Sequence, residues 1–577
     1  MLGPKKAFFA FAKSTNWPTR HQWSQLFKTF NRREQILVAA LTILIIIANG
    51  VLLRGYYLEA TTLGPDSGGQ YIEGFIGYPQ YLNPVLAPSN DVDRDLVKLL
   101  FSSLFKYNRD GNLTGDLAES YNVGDFGKII DVFLKKDAVW SDGAKLTADD
   151  VLFTIQLIQD PAFKSPLRPN LSGIEVEKLD DYSLRFKLKN YYAPFLQNLT
   201  FGILQKKSWQ SSSASQFPLS ELNLRPITCG PYLFSELQKD KDGTITSLTL
   251  KANNDYFGEK AFLKTVQFQF FENQDQMLSA LNRGNIEAIS NAPVSWLDNL
   301  EDFSSLQIHS FSMPRYFAIF FNQNQSVALS DRNVRLALNY ATDKDEIVQK
   351  AIKGQGHKVN GPLLPGLPGY VPNYEPYGFN LETAKKLLDQ AGWKDIDNDG
   401  IREKGNEKLS IGLAVPNWPE MNEAAEILKR QWKEAGVNLE LQVEDSATLQ
   451  QTILRPRQYQ AIFFGEILSK EPDPFAFWHS SQKNDPGLNI SLYDNKEVDQ
   501  LLSSARQEFD EQKRADEYQK FQELLSNDAP AVFLYSQNFL FAANKQVKGI
   551  GMNFVNMPSD RFNNINEWYI KTQRVFK

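Results

Sequence analysis

The sequence predicts an α/β protein of two or three lobes, preceded by one N-terminal transmembrane helix. Three observations carry this prediction. The chain has 577 residues, more than a single hydrophobic core usually serves. Strand and helix signals alternate along most of it with no fixed-period repeat, which favours α/β lobes over a solenoid. Near the start, Ile36 to Leu53 is a charge-free apolar run. The composition, 42% hydrophobic and 23% charged, is that of an ordinary globular protein.

The apolar run is bounded by Arg32, Arg33 and Glu34 on one side and Arg54 on the other. At about 1.5 Å per residue it reaches roughly 27 Å, close to the hydrocarbon thickness of a bilayer. Before position 36 the chain carries Lys5, Lys6, Lys13, Arg20, Lys28, Arg32 and Arg33 against Glu34, a net of +6. The overall charge of -6 therefore leaves -12 for the remainder. The positive-inside rule puts 1–35 in the cytoplasm, 36–54 across the membrane as an uncleaved anchor, and the acidic body outside. A cleaved secretory signal is the competing reading, because Ala48-Asn49-Gly50 is a passable cleavage site. The long basic segment before the run, and the length of the run, favour the anchor. An acidic body argues against a nucleic-acid partner, which needs a basic face. Cys229 is the single cysteine, so an intramolecular disulfide and a cysteine-ligated metal cluster are excluded. No cysteine stands directly after the apolar run, and a lipoprotein acyl anchor is not expected.

Beyond the run, 55–69 reads as a linker ending in Gly64-Pro65-Asp66-Ser67-Gly68-Gly69. Phe133 to Ile155 is a strand, a tight turn at Ser141-Asp142-Gly143, and a helix starting at Thr147 with Asp149 and Asp150 at its positive end. Ser211 to Phe217 is a polar loop and Pro362 to Tyr377 a proline-rich crossing segment. Further helices are expected from Arg332 to Ala341 after the Ser330-Asp331 cap, and from Asn380 to Gly392. Glu420 to Ala435 shows a helical apolar stripe at Ala424, Ile427, Leu428 and Trp432, ended by Gly436 and followed by a strand from Val437 to Val443.

Catalytic chemistry has no support. Asp66-Ser67-Gly68-Gly69 resembles a serine-protease nucleophile motif, but the upstream histidine, His21, lies across the predicted span, so the segment reads as linker. Asp395 to Ile401 fits the start of a calcium loop, yet its twelfth position is Asn406, and a polar turn is the better reading. Phosphate-loop, paired-histidine zinc and dinucleotide motifs are absent, and His309, His357 and His479 are isolated in sequence. No enzyme activity, metal or cofactor is expected.

An ordered series of motifs resembles one family. It runs through Leu82-Asn83-Pro84, a helix from Asp95 to Phe105, Tyr107, Leu117 to Tyr121, and Trp140-Ser141-Asp142-Gly143 with Asp150-Val151. It continues with Thr228-Cys229-Gly230-Pro231-Tyr232, Asn253 to Phe257, Phe321-Asn322 with Asp331 to Tyr340, and Glu471-Pro472-Asp473-Pro474 with Phe477-Trp478. From about Tyr71 to Trp568 the chain resembles the solute-binding proteins of ABC importers, family 5, whose members bind dipeptides, oligopeptides or nickel. The resemblance implies a type II periplasmic binding protein, two α/β lobes joined by a hinge plus an extra domain. Lobe I would be 66–106, 226–320 and 537–577, the extra domain 107–225, and lobe III 321–536, with crossing strands near 320 and 536 as hinge.

It also implies a monomer that captures short peptides between its lobes and hands them to an ABC permease with its ATPase subunits. A tethered receptor, or an importer component for oligosaccharide or chelated nickel, are the alternatives. In peptide-binding members an aspartate shortly before the Asp-Pro segment pairs with the ligand's α-amino group. Here Lys470 stands near that position, and Glu466 or Glu471 would substitute. The expected cleft residues are Asn83, Tyr107, Cys229, Tyr232, Asn322, Trp418, Glu466, Lys470 and Asp473.

Overall fold

The structure, a computed structural model, describes residues 30–301 and 304–577. Most of the expected cytoplasmic segment 1–35, with His21, lies outside the described residues. The chain forms two compact units, one holding the residues up to Asp66 together with Lys571–Lys577, the other Ser67–Ile570.

In the first unit a helix runs from Arg32 to Ala60. Asn31 caps it, its side chain accepting from the Arg33 and Glu34 amides while Glu34 accepts from the Asn31 amide at 2.9 Å. None of its residues is buried, although the sequence is long and apolar enough to cross a membrane. The expected linker 55–69 is corrected here. Arg54 to Ala60 continue the helix, and extended Thr61, the first of two β-branched threonines, ends it. Thr61–Pro65 then pairs antiparallel with Thr572–Phe576, so the last strand of the chain belongs to this unit and not to lobe I.

The second unit is built on three main sheets. The first orders Leu306–Phe311, Phe539–Asn544, Ala288–Ile289, Gln70–Ile76, Thr265–Phe271, Ile245–Ala252 and Tyr232–Lys239. The second orders Gly356–Lys358, Ala531–Gln537, Arg315–Phe321, Ala461–Ile467, Ser410–Pro416 and Asn438–Glu444. After Arg315 the strand Arg315–Phe321 carries only aromatic and aliphatic residues because both faces are covered: Phe317, Ile319 and Phe321 enter one core, Tyr316, Ala318 and Phe320 the other. The third sheet, Ala118–Gly124, Ile129–Leu134, Ser183–Lys187 and Glu175–Asp180, lies in the insertion between two strands of the first.

Two connections join the first sheet to the second. Ser312–Met313–Pro314 links Leu306–Phe311 to Arg315–Phe321, and Asn538 links Ala531–Gln537 to Phe539–Asn544. They run side by side, with Ser536 Oγ donating to the Met313 carbonyl at 3.4 Å and Asn538 Nδ2 to Ser310 Oγ at 2.9 Å. The first crossing thus falls before the boundary expected near 320, since the whole strand Arg315–Phe321 pairs within the second sheet.

Local signals explain the elements around the cleft. In the strand-turn-helix at 133–155, Gly143 turns the chain at φ +82°, and the helix Ala148–Gln159 starts after Thr147. Buried Asp150 accepts from the Thr147 amide at 3.0 Å, the Lys206 amide at 2.8 Å and Trp140 Nε1 at 3.3 Å. The helix expected from Asp95 to Phe105 spans Asp91–Leu100. Asn90 caps it by accepting from the Val92 amide at 2.9 Å. It ends because Phe101 turns extended and the Ser103 amide donates to Asp116 at 3.1 Å, which draws the chain toward the strand Phe105–Tyr107.

Candidate functional site: a cleft between the lobes

The lobes and the insertion meet around a cavity of about 520 Å³. Lobe I contributes Lys98, Phe101, Asn556 and Asp560, the insertion Tyr107, Tyr192, Gln197 and Phe201, and the second sheet and its flanks Ile467, Leu468, Ser469 and Asp473. A second cavity of about 990 Å³ shares Asn170, Tyr192, Asn198, Asp473 and Ala476 with it. The two chambers adjoin at these shared residues, where the hydrogen bond between Tyr192 and Asp473 forms a bar.

The cleft is closed. Tyr192 Oη donates to Asp473 Oδ2 at 3.1 Å and Gln197 Nε2 to the Glu471 carbonyl at 2.9 Å. The Arg506 guanidinium donates to Asp473 Oδ2 at 2.8 Å and stacks over Tyr192 and Phe475. Near the hinge the Val294 amide donates to Glu420 at 2.9 Å, and Lys353 pairs with Asp298 at 2.7 Å.

The structure separates the nine expected residues. Tyr107 and Asp473 line the cavity. Tyr107 Oη donates to Gln197 at 3.4 Å, and burial, with Asp560 and Glu471 adding to it, pushes its phenol up. Lys470 lies outside that wall, with Nζ 5.0 Å from the Phe554 ring, a contact between lobes. Trp418 is half exposed and precedes the helix Pro419–Glu434. The other five are interior. Asn83 bonds Asn223 at 3.0 Å, Tyr232 donates to the Leu263 carbonyl at 3.2 Å, and Asn322 donates to the Arg457 carbonyl at 3.1 Å. Cys229 accepts from the Ser102 amide, and burial pushes its thiol up.

Glu466 sits in the core behind the cleft wall. Strand alternation puts it on the face of Ile462 and Phe464, while Ile467 takes the opposite face. Its Oε2 accepts from Tyr316 Oη, its Oε1 has no partner, and burial pushes its pKa up to about 8. Burial thus favours its neutral form, and its side chain faces the core and not the cavity where an ammonium was expected. Glu471 pairs with Arg514 at 3.1 Å.

Asn556 carries the part that the sequence reading missed. Asp560 Oδ2 accepts from the Asn556 and Met557 amides at 3.0 and 3.2 Å, which fixes Asn556 at the cavity wall. Next to it, fully buried Arg561 ties Glu73 at 2.7 Å and Asp95 at 2.6 Å, which locks this segment to the first sheet and the helix Asp91–Leu100. Asn556 is 7% exposed, and neither its Oδ1 nor its Nδ2 has a partner among the described residues. Asp473 Oδ1 is likewise buried and unpartnered. Each such group costs about 1–3 kcal/mol unless something satisfies it.

The remaining features do not add a second site. Asp395, Asp397, Asp399 and Glu403 bring carboxylate oxygens within 4.8 Å of one another, so that Glu403 and not the residue at the twelfth position, Asn406, joins the three aspartates. The Lys408 ammonium already pairs with Asp397 and Asp399. A larger groove of about 1020 Å³ lies between the first sheet's flank and the insertion and shares no lining residue with the cleft cavity. Its buried acid, Asp93, is satisfied by the Gln80 and Tyr81 amides at 2.8 and 2.9 Å.

Two sheets joined by a double crossover around a closed cleft define a type II periplasmic binding protein. Residues 112–488 match the middle region of the bacterial extracellular solute-binding proteins, family 5. The oligopeptide-binding protein AppA of Bacillus subtilis is 30% identical over 517 residues, 88% of this chain and 92% of that protein. Its structure in complex with a nonapeptide superposes with a TM-score of 0.71 at 29% identity, over 88% of this chain and 100% of that one. NikZ from Campylobacter jejuni in complex with Ni(L-His) gives 0.72 at 27% identity, over 87% and 99%. CtaP from Listeria monocytogenes, an ABC transporter substrate-binding protein, gives 0.77 at 28%, over 88% and 100%. The chain belongs to family 5 of the bacterial extracellular solute-binding proteins. It is an ABC-transporter solute-binding protein and not an enzyme.

Proposed function

We propose that this protein captures short peptides outside the cytoplasm, held at the membrane by its N-terminal helix, and delivers them to an ABC permease with its ATPase subunits. The observation that carries the ligand class is the pair of cavity-lining residues Asn556 and Asp473, of which Asn556 Oδ1 and Nδ2 and Asp473 Oδ1 are buried without a partner among the described residues. An amide with a free donor and a free acceptor matches the C=O and N–H of a peptide group, and a free carboxylate oxygen matches an ammonium. The second chamber beyond the Tyr192–Asp473 bar gives an extended ligand room to continue. The Bacillus subtilis relative, named for oligopeptides, supports the same class. Nickel, bound as Ni(L-His) by NikZ, is the alternative within the family. The uncleaved helix is favoured because it runs unbroken from Arg32 through Ala48-Asn49-Gly50 to Ala60. Function rests on a difference in affinity between open and closed states, and the protein acts as a monomer.

Asn556→Leu tests the reading. Removing two buried, unsatisfied polar atoms leaves the ligand-free protein as stable as the parent or more so. Peptide affinity measured by calorimetry falls about 5- to 10-fold, the equivalent of one or two neutral hydrogen bonds. Unchanged affinity, with melting also unchanged, removes Asn556 from the site.

A further inference from the structure

The end of the N-terminal helix and the end of the chain are built into one element. At about 1.5 Å per residue, the helix Arg32–Ala60 is roughly 43 Å long, more than the roughly 30 Å of bilayer hydrocarbon. The charge-free run ends at Leu53, so the turns from Arg54 to Ala60 reach past the hydrocarbon. Thr61–Pro65 follows without a linker and pairs with Thr572–Phe576 in the register Thr61↔Phe576, Leu63↔Arg574. Leu63, Arg574 and Phe576 therefore share one face of the two-stranded sheet.

On that face Leu63 and Phe576 are exposed, beside the exposed tyrosines of the helix end. Phe576 is 75% exposed, Tyr56 72% and Leu63 61%, and the Tyr57 ring meets Phe576 edge-on at 6.4 Å. Arg574 Nη1 donates to Thr61 Oγ1 at 3.0 Å and to the Leu58 and Thr61 carbonyls at 3.4 Å. The Lys577 amide donates to the Ala60 carbonyl at 3.0 Å. The helix has no basic residue in its last turn, so Arg574 supplies the cation at the negative end of its dipole.

We propose that the helix end and this C-terminal strand form a collar seated in the phospholipid headgroup layer of the bilayer. The inference rests on the uncleaved helix described above. Tyr56, Tyr57, Leu63 and Phe576 occupy the depth at which amphipathic rings and apolar side chains are stabilised, and Arg54 and Arg574 face lipid phosphates. The occupant is lipid because the face is continuous with a helix of membrane-spanning length. The last residues of the chain are then a membrane-binding element in their own right.

The test labels the full-length protein in phosphatidylethanolamine–phosphatidylglycerol vesicles. Cys229 is fully buried, so a thiol-reactive environment-sensitive fluorophore reports only an introduced cysteine. Phe576→Cys and, on the same face, Leu63→Cys are compared with Phe126→Cys, whose position is 87% exposed on the insertion. Labels at 576 and 63 should show blue-shifted emission and be quenched several-fold more strongly than the label at 126 by nitroxide lipids carrying the spin label at the headgroup. Labels at 576 and 63 that behave like the one at 126, on a vesicle-bound chain of intact mass, overturn the collar. A chain whose mass shows cleavage near Gly50 and which leaves the vesicles overturns the anchor itself.

Discussion

Asp473→Asn is expected to lower the affinity for a free peptide about 10- to 100-fold, the worth of one charge-assisted hydrogen bond of about 1.5–3 kcal/mol. Tyr192 and Arg506 both use Oδ2, which leaves Oδ1 for the ligand. Asparagine keeps the shape and one acceptor but loses the charge that an ammonium pairs with. The same substitution weakens the contact between Asp473 and Tyr192 of the insertion, so closure must be separated from recognition. An N-acetylated peptide does this. If Asp473 reads the ammonium, calorimetry shows the parent and the variant binding the blocked peptide equally weakly. If Asp473 only holds the lobes together, the variant binds both peptides worse by the same factor.

Glu466→Gln is expected to change how stability depends on pH. The folded-state pKa of Glu466, about 8, lies above the ordinary glutamate value of 4.5. Between these values the folded protein holds a proton that the unfolded chain has released, so the group's contribution to stability falls as pH rises from about 5 to 8. The slope approaches about 1.4 kcal/mol per pH unit, or a few kcal/mol across the window. Glutamine keeps an acceptor for Tyr316 Oη and does not titrate. Denaturant unfolding should therefore show the variant close to the parent at pH 5 and clearly more stable than it at pH 8. Parallel pH profiles for the two proteins would place an ionised, satisfied carboxylate at this position.

What was legible in the sequence follows the range of the forces involved. The strand-turn-helix at 133–155 was readable because Gly143, Thr147 and Asp150 act on neighbours within one turn. The helices Leu381–Gln390 and Pro419–Glu434 were readable from caps and apolar stripes. The helix Asp91–Leu100 was placed too late, because its end depends on Asp116, a partner reached only after the chain turns back. The linker at 55–69 was misjudged because the partner of Thr61–Pro65 is the last strand of the chain.

The cleft was harder to read because a site is a matter of facing as well as of position. Asp473 was recognisable from its motif and reaches the cavity. Glu466 sits a single residue before Ile467 of the cavity wall, and that one-residue offset on a strand turns it into the core. Asn83, Cys229, Tyr232 and Asn322 belong to motifs that hold turns and core contacts. Asn556 lies in an irregular stretch with no periodicity. Its one local signal was Asp560, four residues on, able to cap Pro558–Glu567 and so pin the asparagine in place.

The central claim is that the closed cleft holds a short peptide. It is tested most directly by purifying the full-length protein in mild detergent, releasing bound small molecules by denaturation, and identifying them by mass spectrometry. Peptides with free amino termini should be recovered, and calorimetry with one of them should show saturable binding at one site per chain. Recovery of a metal complex or an oligosaccharide, with no peptide binding on titration, would contradict it.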